Sequence, residues 1–207
     1  MTELLTLARA EAALSALGPL PYPLPLGRLA PVVAGAVSGM AKGDFIVAGP
    51  RERVGAALRG CPVERLVDPA LGARPSKLAP VSGSPGARAL HAVGLALGSE
   101  RPVLCFLGLA SGATGATHEA LNAAALTGAP VVFLHVAQPL AEGAPVGRQT
   151  AGEVGAIAAA FGVEAQALSL ATSDPDAAQA EAVRDAVAQA RQRALAGAPQ
   201  LLALSFS

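Results

Sequence analysis

Few side chains in this sequence are equipped for covalent or proton-transfer chemistry. It contains three histidines, His91, His118 and His135, and two cysteines, Cys61 and Cys105. Ser111 is the serine best placed to act as a nucleophile, because it lies between an apolar run and a helix-like stretch. Its setting, Gly108-Leu-Ala-Ser-Gly112, has Ala110 where the GxSxG elbow of a hydrolase needs serine. His118 follows on the next helical stretch, and neither His91 nor His135 has a carboxylate partner by spacing. Each reads as a satisfied or solvent-facing histidine rather than a general base. The cysteines lack metal-ligand spacing and suggest no Cys-His-Asn arrangement. Two reduced structural thiols fit a cytoplasmic protein. The residues by themselves therefore nominate no catalytic group and no metal ligand.

The stretch that must position any site runs over residues 102–136. Residues 103–107 form an apolar run too short for a helix and bounded by Pro102 and Gly108, which predicts a strand buried on both faces. Residues 108–115 read as a small-residue loop, and Thr114 or Thr117 can cap the helix that follows through HEALNAAAL. Gly128 ends that helix, and residues 131–134 form a second buried run. Strand, glycine loop, helix and strand make one right-handed crossover of a parallel sheet.

The remaining chain supplies the layers. A helix is expected over residues 2–17, with Leu4, Leu5, Leu7, Ala8, Leu14 and Leu17 as its apolar positions. An extended, proline-alternating segment over residues 19–25 follows it. Residues 1–28 are thus a helix and a Pro-rich linker, and residues 29–207 a single α/β domain. Within that domain the pattern predicts helices over 29–41, 86–97, 149–161 and from Asp174-Pro175 to about residue 195. Strands are expected over 45–48, 163–168 and 201–204, with a loop over 138–147. The fold class is three-layer α/β, a mostly parallel sheet of about five to six strands flanked by helices.

Composition excludes some functions. Fifteen basic and fifteen acidic residues cancel, leaving no electrostatic footprint for nucleic acid. No apolar stretch reaches the ~20 residues needed to span a bilayer, and the acidic, amphipathic start does not have the form of a signal peptide. Apolar residues make up 52% of the chain but aromatics only 3%. Packing must therefore rest on close approach of small-faced helices.

Residues 108–133 resemble the cofactor-binding segment of the alpha subunits of thiamine diphosphate-dependent 2-oxo acid dehydrogenases. That segment typically reads GDGATNEGAFHEALNMAA, then a short spacer with proline, an apolar strand and ENN. Aligned without a gap, HEALN falls on residues 118–122 and PVVF on 130–133. The resemblance continues more weakly over 26–207, including a PGD-like turn at Lys42-Gly43-Asp44 and a YRDHG-like segment at Gly49-Pro50-Arg51-Glu52-Arg53. The helix over 86–97 is similar to the family's GAQLPLAAGVALAL.

This resemblance implies a thiamine diphosphate-binding fold and, in intact members, a diphosphate held through magnesium. Arg51 matches a diphosphate-binding arginine, whereas Pro50 replaces its tyrosine neighbour and cannot donate a hydrogen bond. Leu109 and Ala137 occupy the two side-chain metal-ligand positions, and Ser82 stands where the family has an active-site histidine. Arg51, Gly108 and Ser111 are what the resemblance leaves of a pocket. The expectation is a shortened dehydrogenase alpha-like chain, without metal or cofactor, that acts as a structural or regulatory subunit. It would form a homo-oligomer or pair with a beta-type subunit through the small-faced helices over 86–97 and 118–126. Two other readings are a functional alpha subunit completed by a beta partner and a metal-independent small-molecule binder in the vacated pocket.

Overall fold

The computed structural model describes residues 2–21, 25–82, 84–137 and 151–207. The expected loop over 138–147, the first residues of the expected 149–161 helix and the middle of the Pro-rich segment lie outside the described residues. Five strands form one parallel sheet in the order β1-β2-β3-β5-β4. They are β1 (Phe45–Val47), β2 (Val103–Gly108), β3 (Val131–Val136), β4 (Glu164–Leu170) and β5 (Gln200–Phe206). Among the described residues, seven α-helices surround it: α1 (Thr2–Ala16), α2 (Ala30–Gly39), α3 (Ala87–Ser99), α4 (Leu109–Gly112), α5 (Gly115–Thr127), α6 (Val154–Ala160) and α7 (Asp176–Leu195). The expected α/β class and parallel sheet are therefore observed.

Alternation along the strands divides the core in two. Leu104, Phe106, Val132, Leu134, Leu202 and Leu204 face the layer of α1, α2 and α7. Val103, Cys105, Leu107, Val131, Phe133 and Leu201 face α3, α5 and α6. Because both faces are covered, β2 and β3 are apolar almost without interruption, as central parallel strands require.

α2 and α7 touch where α2 has no side chains. A Cβ at Gly35 would collide with the Ala180 carbonyl and lie 2.8 Å from Val183 Cβ; one at Gly39 would lie 2.6 Å from the Arg184 carbonyl oxygen. The turn after α2 then locks the pair. Asp44, which is buried, accepts from the Ala41 backbone N–H at 2.7 Å and from Arg191 of α7, including Nη2 to Oδ1 at 3.1 Å.

Two sequence expectations need correction, and one element adds to them. The apolar stripe of α1 is narrower than expected: Leu7, Ala10 and Leu14 are buried, at helical spacing, while Leu5 and Leu17 face solvent. α6 begins only at Val154, and Phe161 is exposed; Val154 and Ala158 carry its contact. Residues 52–59 form a 3-10 helix that ends at Gly60 in the left-handed conformation. Arg53 shapes the following segment. Fully buried, it donates Nη1 to the Pro69 carbonyl at 2.8 Å and Nη2 to those of Arg65 and Leu71 at 2.9 Å each.

The α2–α7 contact reverses the usual effect of replacing a helical glycine. Alanine in place of glycine normally stabilises a helix by about 0.5–1 kcal/mol. At Gly35 the collision dominates, so Gly35→Ala is expected to lower the unfolding free energy by about 1–3 kcal/mol in urea titration.

Candidate functional site

The carboxyl ends of β1 and β2 open onto a cavity of about 260 Å3, the position where open parallel sheets bind ligands. Its polar lining comes from Arg51, Glu52, Arg88 and Ser111, and its apolar wall includes Leu29, Pro85 and Val136. Gly49 is the hinge of this arrangement. A Cβ there would collide with the Glu52 carboxylate and lie 2.8 Å from Arg88 Nη1, so the glycine leaves room for both charged side-chain tips as they stand.

One side of the cavity is built by α4, where a loop was expected. The reason is local: the Ser111 carbonyl accepts from Thr114 Oγ1 at 2.9 Å and from Thr117 Oγ1 at 2.6 Å. These bonds fold residues 109–112 into a single helical turn against the start of α5. Thr114 is the N-cap of α5, its Oγ1 accepting from the Thr117 N–H at 3.3 Å, and Gly128 closes that helix with positive φ. Gly86, at the start of α3, packs so tightly on Thr114 that a Cβ would strike the hydroxyl.

The expected pocket residues Arg51, Gly108 and Ser111 all line this one cavity, together with Leu109. Leu109 is 3% exposed and presents only hydrocarbon. Ala137 follows β3 directly, next to Val136 in the lining. Ser82 is not among the lining residues; its Oγ accepts from the Ser84 N–H at 3.4 Å. Among the described residues, no cluster of three His, Cys, Asp or Glu side chains could hold a metal ion.

Sequence reasoning missed Arg88. A lone arginine in an alanine-rich helix reads as a surface charge, yet this one is 7% exposed and donates Nη1 to the Phe106 carbonyl at 3.0 Å. The Cys105 thiol nearby is pushed up to about 12 by burial, against the pull of the Arg88 charge. Both cysteines are free and buried, and burial keeps Cys105 a thiol rather than a nucleophilic thiolate at neutral pH.

The family model described as the dehydrogenase E1 component matches residues 70–204. The chain belongs to this family. The matched span of the E1 component covers α3 to α7, β2, β3, β4 and most of β5, and leaves Arg51 outside it. Similar folds occur in a Mycobacterium smegmatis protein described as a thiamin diphosphate-dependent enzyme (21% identity, 85% of this chain and 31% of that one, TM-score 0.53). Benzoylformate decarboxylase from Polynucleobacter necessarius is also similar (17% identity, 85% and 32%, TM-score 0.52). So is a transketolase variant from Pichia stipitis (14% identity, 100% and 35%, TM-score 0.56). The fold is that of thiamine diphosphate-dependent enzymes, and this chain spans about a third of the length of each. No curated protein matches it in sequence.

The three histidines differ in environment. His91 is exposed. His118 is half-buried, and its buried Nε2 has no hydrogen-bond partner among the described residues. His135, on β3, is buried against α4, so that a Cβ at Gly112 would lie 2.6 Å from its Nε2. His118 does not fit the satisfied or solvent-facing reading, and His135 is not solvent-facing. Burial pushes His135 down to about 4 from 6.5. The folded chain thus holds it neutral while the unfolded chain protonates it near 6.5, so stability falls as the pH drops from about 6.5 towards 4. Between pH 7 and pH 5 the loss due to this group is about 2 kcal/mol. A His135→Gln variant should show that much less change than the parent chain in urea titrations at the two pH values.

Proposed function

We propose that this chain is a non-catalytic dehydrogenase E1-like subunit that works by pairing, with a second copy of itself or with a beta-type subunit, in a cytoplasmic setting. The observation that carries this reading is hydrocarbon at both positions where the resemblance expects metal-ligand side chains. Magnesium demands near-octahedral oxygen ligands at short distances, usually one or two carboxylates plus phosphate. Leu109 is a buried aliphatic group, and Ala137 has no side-chain oxygen. This donor set does not fit a magnesium-held diphosphate, and Ser82 cannot perform the proton transfers of an imidazole at neutral pH.

Support for pairing comes from α3. Its inner face, with Ala89, Ala92, Val93 and Ala96, is buried in the core. Its outer face carries exposed Leu90 and Leu97, and between and beside them Gly94 and Gly98, whose Cβ positions meet nothing. Internal packing therefore explains Gly35 and Gly39, whereas among the described residues nothing packs on Gly94 or Gly98. On α5, Leu126 is 78% exposed. No helix among the described residues is long and apolar enough to cross a membrane. The free thiols of Cys61 and Cys105 suit a reducing compartment.

Light scattering of the purified chain, alone and mixed with a dehydrogenase beta-type subunit, tests this reading. The expected result is a dimer or a mixed complex. Leu97→Glu should dissociate it while changing the unfolding free energy by no more than about 0.5 kcal/mol, as an exposed substitution does. A monodisperse monomer that captures no beta-type subunit contradicts the proposal.

A further inference from the structure

Two arginines are buried in this fold, and they are used differently. Arg53 directs its guanidinium to three backbone carbonyls of a neighbouring segment. Arg88 donates Nη1 to Phe106, lines the cavity at the strand ends, and keeps a buried Nε with no hydrogen-bond partner among the described residues. Burying a guanidinium is costly unless it is paired and its donors are used. The motif that residues 86–97 resemble has glutamine at this position, so the cation is a feature of this chain.

Among the described residues, the same cavity holds one further cation and one carboxylate. Arg51 is half-exposed in the lining, and the side-chain tips of Glu52 and Arg88 both reach the space over Gly49. Two guanidinium groups and one carboxylate leave a net positive charge inside a partly apolar wall. A guanidinium fork matches the geometry of a carboxylate or phosphate group without any metal. The volume, about 260 Å3, suits a small ligand.

We infer that this cavity is a metal-independent oxyanion site, anchored by Arg88 with Arg51 as its second cation, for a small molecule carrying one carboxylate or phosphate group and little other polarity. This site is independent of the pairing proposed above. It replaces the metal-bridged attachment, which the donor set excludes, by direct guanidinium contact. Glu52 opposes the ligand and sets an upper limit on affinity, since its carboxylate already shares the Arg88 field.

The test is calorimetric titration of the full chain in EDTA and chloride buffer, with sodium phosphate in one arm and sodium butyrate in the other. The proposal expects one of them to bind with a Kd below about 1 mM. Tighter phosphate binding identifies a phosphate-type ligand, and tighter butyrate binding a carboxylate. Arg88→Gln should weaken that binding by about tenfold or more, the worth of a charge-assisted pair. Because Arg88 is buried and its loss could impair folding, Glu52→Gln provides the second readout: it should tighten binding severalfold. A purely structural Arg88 would not respond in this way. No binding of either anion to the parent chain, a requirement for magnesium, or unchanged affinity in both variants overturns the inference.

Discussion

The close approach of α2 and α7 is the constraint on which the rest of the structure depends. With Gly35 and Gly39 at the crossing, α7 backbone lies where α2 side chains would otherwise be. The two helices form a thin, continuous cover over one face of the sheet, built from Val32, Val33, Val37, Val183, Val187 and Ala190. That geometry fixes where the turn after α2 emerges. Asp44 sits in this turn, and its carboxylate holds Arg191 of α7 while its carbonyl accepts from Arg59 Nη1 at 2.7 Å. Burial of this pair is acceptable because the remaining lone pairs are occupied. The strand that starts at Phe45 then delivers Gly49 to the carboxyl end of the sheet, where Glu52 and Arg88 converge. Helix packing on one face thus places the charged lining of the cavity.

The opposite layer supplies the rest of the cavity by a different device. There the Ser111 carbonyl serves as a hub for two threonine hydroxyls, and Gly86 lets α3 start directly against the cap of α5. Arg88 is therefore held at its base by helix packing and at its tip by the Phe106 carbonyl. The polar lining of the cavity is guanidinium, carboxylate and hydroxyl, from Arg51, Arg88, Glu52 and Ser111.

Much of the fold was legible because it depends on local pattern. The uninterrupted apolar runs of β2 and β3, the threonine cap and the glycine at residue 128 each state their conformation within a few residues. Arg51, Gly108 and Ser111, singled out together from the sequence, line one cavity. What could not be read depends on partners far away in the chain. Gly35 and Gly39 need Ala180 and Arg184 to explain them. Arg53 and Arg88 look like solvated charges until the segment around Pro69 and the end of β2 close over them. The helical turn α4 escaped notice because its composition favours a loop, and only the hydroxyls of Thr114 and Thr117 favour the turn. His135 sits in a strand whose neighbours bury it, which spacing along the chain does not reveal.

The central claim is that this member of the dehydrogenase E1 component family retains the fold without the magnesium-dependent attachment of a diphosphate. Equilibrium titration of the folded chain with thiamine diphosphate, once in excess magnesium and once in EDTA, tests it most directly. The account predicts the same affinity, or the same lack of binding, in both conditions, because Leu109 and Ala137 offer the ion no side-chain oxygen. Binding that tightens about tenfold or more on adding magnesium would show that other oxygens ligate the ion, and would contradict the account.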